Sequence, residues 1–267
     1  MNTERNKGIA LVTGASGGIG AIYAERLARR GYDLILVARN AARLEAVAAR
    51  ITTATGRTVK TVTADLNDAA DLRRIEALLR EEAGISMLVN NAGFGAATPL
   101  LDSDVERMAE MIAINVTALT RLTYAAAPAF VARGGGTIVN ISSIVALAPE
   151  VLNGVYGASK AYVLALTQSL QHELGARGLR VQAVLPGATA TEFWKIPGVG
   201  GHENLPKEIV MSAEEMVDAA LAGLDAGEIV TIPALQDGGE WLSYEATRRA
   251  MAQHLGGSAP APRYRAA

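Results

Sequence analysis

A serine, a tyrosine thirteen residues later and a lysine four after that mark the stretch from Ser143 to Lys160. On a helix, Tyr156 and Lys160 at i and i+4 leave one face a turn apart, with Cβ atoms about 5–6 Å from each other. A cation held that near a phenol favours the phenolate. Free tyrosine titrates near ~10, too high for proton exchange at neutral pH. Lowering that by about three pH units takes roughly 4 kcal/mol. The lysine, helped by a positively charged cofactor ring, can supply much of it. So tuned, Tyr156 is a general acid or base for neutral pH.

The elements before this stretch must position it. GIALVT, 8–13, is a short apolar run that predicts a buried strand. The turn Gly14-Ala15-Ser16-Gly17-Gly18-Ile19-Gly20 follows, then a helix from AIYAERLARR, stopped by Gly31. Strand, glycine-rich turn and helix form the context of a dinucleotide site. Glycines let the backbone approach a pyrophosphate, and the helix N-terminus meets that anion with free N–H groups. DLILVA, 33–38, predicts a second buried strand, ending at Ala38-Arg39. An NAD site places an acid here for the ribose 2′-hydroxyl. Arginine instead suits a 2′-phosphate, which a guanidinium can grip at two points. The reading is NADP(H).

The alternation continues. Residues 41–55 predict a helix, TVKTVTA a third strand ending at Asp65-Leu66, and Asp68 a cap on the helix after it. SMLVNNAG, 86–93, predicts a fourth strand running into Asn90-Asn91-Ala92-Gly93. Asn90 fits a structural turn at least as well as a ligand site. A long helix, about 103–133, carries Asn115 in its apolar middle. A buried amide there must bond backbone or water, or kink the helix. GGGTIVNIS, the fifth strand, delivers Ser142 and Ser143; LRVQAVL and EIVTIP are the sixth and seventh. The expected fold is α/β: one doubly wound Rossmann domain over residues 1–255, with a seven-stranded, mostly parallel sheet and helices on both faces. Ligands then bind at the carboxyl ends of the strands.

Composition agrees. Half of the 267 residues are hydrophobic, and with three Phe and two Trp the core must be aliphatic. A formal net charge of −2 without a basic block argues against a nucleic-acid surface. The absence of cysteine excludes disulfides, thiolate metal sites and cysteine nucleophiles. No His/Asp/Glu group has metal-ligand spacing, and His172, His202 and His254 read as surface residues. A polar N-terminus, MNTERNK, and no apolar run of membrane-spanning length lead to the expectation of a cytoplasmic protein without a membrane partner.

Five motifs together resemble the short-chain dehydrogenase/reductase family. Thr13-Gly14 through Gly20 is similar to its TGxxxGxG turn and Asn90 to Gly93 to its NNAG. Asn115 is similar to its helix asparagine, Tyr156 to Lys160 to its YxxxK, and Pro186-Gly187 with Thr189 and Thr191 to its PG…T segment. The motifs fall in the family's order over roughly residues 8–232. Family spacing selects Ser143 over Ser142.

The resemblance implies a catalytic tetrad. Tyr156 exchanges a proton with the substrate oxygen, and Lys160 lowers its pKa and holds the nicotinamide ribose. Ser143 hydrogen-bonds the carbonyl oxygen, and Asn115 holds a water linking Lys160 to solvent. It also implies cofactor contacts from Gly14, Ser16, Gly17, Gly18, Ile19 and Gly20, from Arg39, from Asp65 and Leu66 beside the adenine, and from Asn91, Ala92 and Gly93. Pro186, Gly187, Thr189 and Thr191 would serve the nicotinamide end. Some NADP-using relatives carry a basic residue where this chain has Ser16, so NAD(H) use stays open. Family members pair through helices matching 103–133 and 156–177, which implies a homodimer or homotetramer.

Residues 192–211, broken by Gly and Pro and bearing Phe193, Trp194, Ile196 and Val199, read as a lid over the substrate. Phe94, Ile144, Val145, Leu147 and Leu152 should line the opposite wall, with no arginine placed to claim a carboxylate. Ser212 and Glu215 form a capping box for the helix before the last strand. One more helix follows, then a loose tail at 256–267. The expected activity is hydride transfer between NADP(H) and a largely apolar ketone, aldehyde or secondary alcohol. A non-catalytic nucleotide sensor or scaffold, or a dehydratase or epimerase, are the alternatives on the same fold.

Overall fold

In the computed structural model, which describes residues 7–264, nine strands and eight α-helices alternate. The strands are β1 (Ile9–Thr13), β2 (Asp33–Ala38), β3 (Val59–Thr63), β4 (Ile85–Asn90), β5 (Gly136–Ile141), β6 (Leu179–Val184), β7 (Ala188–Thr189), β8 (Val210–Met211) and β9 (Val230–Thr231). The helices are α1 (Gly18–Arg29), α2 (Ala41–Thr55), α3 (Ala69–Glu81), α4 (Val105–Ile112), α5 (Leu119–Ala132), α6 (Gly154–Leu174), α7 (Ala213–Asp225) and α8 (Gly238–Ala252).

Seven strands form one parallel sheet in the order β3-β2-β1-β4-β5-β6-β9. The order reverses between β1 and β4, where Val12 lies opposite Val89. That reversal opens a crevice at the carboxyl ends of these strands. Alternate strand residues face opposite sides. Ala10, Val12, Leu34 and Leu36 pack with Tyr23, Leu27, Leu44 and Leu221 from α1, α2 and α7. Leu11, Ile35, Val37 and Leu88 pack with Ile75, Leu122, Phe130 and Leu170 from α3, α5 and α6. Full burial on both faces explains the unbroken apolar strand runs.

The caps form as expected. Asp68 accepts the amides of Ala70 and Asp71, each at 2.9 Å, and Ser212 accepts that of Glu215 at 3.1 Å. The last strand is shorter than its apolar run, two residues at Val230–Thr231. The long helix around Asn115 is not uniform: a π-helical turn, Ala113–Ala118, separates α4 from α5. Residues 192–211 carry three short 3₁₀ turns, and their end is tied back where β8 pairs with β7.

The sheet and α1 to α7 belong to a compact unit, Met1–Pro233; Ala234–Ala267 form a second. In that second unit Asp237 caps α8 by accepting the Gly239 amide at 2.8 Å, and Glu245 pairs with Arg248 at 2.8 Å. The expected tail contains a 3₁₀ turn at Pro262–Tyr264. The polar start of MNTERNK and the last three residues of the tail lie outside the described residues. Among the described residues no helix is long and apolar enough to cross a membrane.

Candidate active site

The glycine turn is held open by backbone geometry that only glycine adopts readily. Gly14 has φ +67° and Gly18 φ +52°. A Cβ on Gly20 would stand 2.5 Å from the Gly14 carbonyl oxygen, so a side chain there is excluded. Gly17 precedes α1, whose first turn has no acidic residue and no side-chain cap. Its free N–H groups are therefore available to an anion. Asn91 fastens this turn to β4: its Nδ2 donates to the carbonyls of Thr13 at 2.9 Å and Gly14 at 3.3 Å. The Thr13 hydroxyl accepts the amides of Asn91 and Ala92, both at 3.0 Å. A cradle that a Cβ would fill, beside a free helix N-terminus, fits a dinucleotide pyrophosphate.

Asn90 has the structural role. It is buried and donates to Asn140 Oδ1 at 2.9 Å and to Thr123 Oγ1 at 3.2 Å. Asn140 in turn donates to Thr167 at 2.9 Å, so a polar line runs through the core from α5 across β4 and β5 to α6. At the end of β2, Arg39 projects into solvent with a guanidinium nitrogen 3.9 Å from Asp65. Leu66 turns its side chain into the core beside Ala64 and Leu72. Ser16 and Ile19 stay partly exposed along the turn.

The proton-handling group converges at the carboxyl end of β5. Tyr156, in the first turn of α6, is 5% exposed. Lys160 Nζ lies 5.8 Å from its ring centre and donates to the Ile141 carbonyl at 2.9 Å. Burial pushes the Tyr156 phenol up to about 12, opposed by a hydrogen bond with the Ser143 hydroxyl. Burial likewise pushes the Lys160 ammonium down to about 8. Proximity of the cation was expected to lower the phenol; in the chain by itself desolvation wins for both groups. Ser143 caps a 3₁₀ turn and donates to the Pro186 carbonyl at 3.4 Å, while Ser142 donates to the Lys160 carbonyl at 2.7 Å. The two serines thus divide the work: Ser142 fixes α6 and Ser143 faces the phenol.

Asn115 lies at the π-helical turn and is fully satisfied by protein. Its Oδ1 accepts the Phe94 amide at 3.2 Å, and its Nδ2 donates to the Phe94 carbonyl at 2.9 Å and to Ser159 Oγ at 3.1 Å. A Cβ on Gly93 would lie 2.6 Å from Asn115 Oδ1 and 3.9 Å from Lys160 Nζ, so Gly93 is where these two approach. Pro186 accepts the Ile144 amide at 3.0 Å, and Thr189 bonds the Gly187 carbonyl at 3.2 Å. Thr191 caps the turn Glu192–Trp194 and comes within 3.4 Å of a Cβ built on Gly18.

The wall beside Tyr156 is apolar. Val145, Leu152 and Phe94 pack around it as expected, joined by Met108, Met111 and Val155. Phe193 covers it, with ring centres 5.7 Å apart, and Trp194 meets Phe193 edge-on at 5.3 Å. Met108 and Met111, seven and four residues before Asn115, were not among the residues expected at this wall. An arginine does stand at this wall: the Arg107 guanidinium lies 3.8 Å over the Phe94 ring, with its charge paired to Glu110 at 2.6 Å. Arg43 was also missed. It reaches from α2 to Glu192 at 2.6 Å and would meet a Cβ on Gly17 at 2.6 Å. Its spacing one helical turn after Arg39 was the available signal.

Residues 8–196 match the family model described as short chain dehydrogenase. A solved short-chain dehydrogenase from Sphingobium yanoikuyae, in complex with NADPH, is 47% identical with TM-score 0.92, covering 96% of this chain and all of that one. A bulky-bulky ketone specific alcohol dehydrogenase from Comamonas testosteroni is 42% identical with TM-score 0.89, covering 97% and 99%. An uncharacterized oxidoreductase of Staphylococcus epidermidis is 32% identical over 77% of this chain and 88% of its own length.

Proposed function

The chain belongs to the short-chain dehydrogenase family of oxidoreductases, and we propose that it reduces bulky, largely apolar ketones or aldehydes with NADPH. The observation that carries this reading is the buried Tyr156, flanked by Ser143 and Lys160 and enclosed by Phe94, Leu152, Val155 and Phe193. NADPH in the Sphingobium structure and the bulky ketones named for the Comamonas enzyme support it. The alternatives of a nucleotide sensor and of a dehydratase gain no support from these relatives.

When bound, the nicotinamide supplies the hydride. The glycine turn and the α1 N-terminus hold the pyrophosphate, and Arg39 holds the 2′-phosphate. Ser143 donates a hydrogen bond to the substrate oxygen and draws electrons from the carbonyl carbon. Tyr156, whose phenol burial pushes up to about 12, stays protonated at neutral pH as an ordinary phenol does, and is in the form that can give a proton to that oxygen. Lys160 then offers its ammonium to the phenolate left behind. Asn115 locks Phe94 and the end of β4 in place beside Lys160. Phe193 and its loop keep water from the reacting carbon.

A titration of the purified chain with NADPH and with NADH, followed by NADPH oxidation against aryl and alkyl ketones of rising bulk, tests the reading. Tight NADPH binding and turnover that improves with apolar bulk are expected. Turnover confined to small polyols, or tighter binding of NADH, would overturn it.

A further inference from the structure

The Arg43–Glu192 ion pair joins the cofactor side of the crevice to the substrate loop. Arg43 lies in the first turn of α2, its amide held by the Asn40 side chain at 3.0 Å. Its guanidinium leans off its own helix, over Gly17, to Glu192 Oε2 at 2.6 Å. Lys195 contacts the other oxygen of Glu192 at 3.3 Å. These two cations hold the Glu192 carboxyl below the usual carboxylate range, the Arg43 hydrogen bond most of all. The next residue is Phe193, which covers Tyr156. Both ends of the pair are about half exposed, 50% for Arg43 and 57% for Glu192. Such a pair is weak and exchangeable. A phosphate bearing nearly two charges is a stronger partner for the same guanidinium.

We propose that Arg43 is a second residue selecting the 2′-phosphate of NADP(H), and that this phosphate draws Arg43 away from Glu192 and so releases the loop carrying Phe193. The proposal rests on the NADP(H) reading of the cofactor. Arg39 follows β2 and Arg43 stands four residues on, in the first turn of α2; of the two, Asp65 approaches Arg39, at 3.9 Å. Glu192 keeps Lys195 when Arg43 leaves, so no carboxylate is stranded. What is lost is the tie between the loop and the α2 side of the crevice. NAD(H), lacking the phosphate, leaves that tie in place. Selection then acts twice, on cofactor affinity and on access to Tyr156.

The test uses the full chain carrying Trp241→Phe, which leaves Trp194 as the one tryptophan. Trp194 meets Phe193 edge-on at 5.3 Å and reports the loop through its emission. The probes are 2′,5′-ADP, 5′-AMP, NADP⁺ and NAD⁺, which lack the absorbance of reduced nicotinamide. The 2′-phosphate compounds are expected to change Trp194 emission, and 5′-AMP and NAD⁺ to leave it unchanged. Arg43→Ala should weaken 2′,5′-ADP and NADP⁺ about tenfold and NAD⁺ less than about twofold. Glu192→Gln, which removes the competitor, should tighten 2′,5′-ADP by about two- to fivefold and abolish the emission change. Equal losses of NADP⁺ and NAD⁺ in Arg43→Ala would assign the guanidinium to the pyrophosphate and overturn the proposal. So would unchanged 2′,5′-ADP affinity in Glu192→Gln. A parent chain that binds NAD⁺ as tightly as NADP⁺ overturns the NADP(H) reading as well. An NADP⁺ preference that Arg43→Ala leaves undiminished overturns this inference alone.

Discussion

Replacing Lys160 by methionine should make the protein more stable at neutral pH while destroying its activity. Lys160 is buried, with no carboxylate partner among the described residues, and burial moves its ammonium from 10.5 to about 8. That displacement is worth roughly 3 kcal/mol, at about 1.4 kcal/mol per pH unit. The sign follows from linkage. The folded pKa lies below the unfolded one, so between pH 8 and 10.5 the unfolded chain holds the proton that the folded chain has released. Stability therefore rises with pH across that window. Below pH 8 the full cost is present; above 10.5 both states are neutral and it is gone. Methionine has no charge to bury, but it forfeits the bond from Nζ to the Ile141 carbonyl, about 1 kcal/mol. The net gain at pH 7 is about 2 kcal/mol, or about 4–8 °C in Tm for a unit of this size. Near pH 10.5 the gain should have vanished, leaving the variant about 1 kcal/mol less stable than the parent. Urea unfolding followed by circular dichroism at pH 7 and above pH 10.5 reads both ends. A variant less stable than the parent at pH 7, or a difference that does not change with pH, would refute the argument that desolvation dominates at Lys160.

Tyr156→Phe removes the proton donor but little volume, so kcat should fall by about 10²–10⁴ with NADPH affinity within about twofold; a variant keeping most of its rate would remove the proton-transfer role. Arg39→Asp places a carboxylate where the 2′-phosphate is read, and should weaken NADPH by more than about tenfold while NADH changes little or improves; equal losses in a fluorescence titration would contradict it. Gly20→Ala would bring a Cβ to 2.5 Å from the Gly14 carbonyl oxygen, a backbone atom that cannot step aside. Dinucleotide affinity should collapse, with a stability cost of about 1–3 kcal/mol; near-parental binding by calorimetry would show that the turn can open.

What was legible in the sequence follows the kind of physics behind each feature. The parallel sheet was readable because strands buried on both faces must be apolar throughout, and β1, β2 and β4 carry that pattern openly. β9 was overread because only Val230 and Thr231 of a longer run pair with β6 as ladder residues, while Ile229 beside them contributes its carbonyl alone, to the Ala183 amide at 2.8 Å. The residues proposed as a tetrad could be picked out because their chemistry restricts residue type. Their electrostatics were not. Spacing placed Lys160 near Tyr156, but the balance between attraction and desolvation depends on burial, which the sequence does not display. Asn115 shows the same division. Its cost in an apolar helix was evident, and the remedy is a π-helical turn whose asparagine clasps the Phe94 backbone.

Arg39 and Arg43 carry this argument to its end. Arg39 could be proposed from the sequence because it follows a strand at the place where a dinucleotide site meets the ribose. Arg43, on the exposed side of α2, reads as a solvated helix residue in any one-dimensional pattern. Its meaning depends on Glu192, 149 positions away, which the crossover from β6 brings back over the glycine turn. Residues that bind a ligand by type alone are visible in sequence. Residues that join one ligand's site to another's become visible only when the fold has brought both partners together.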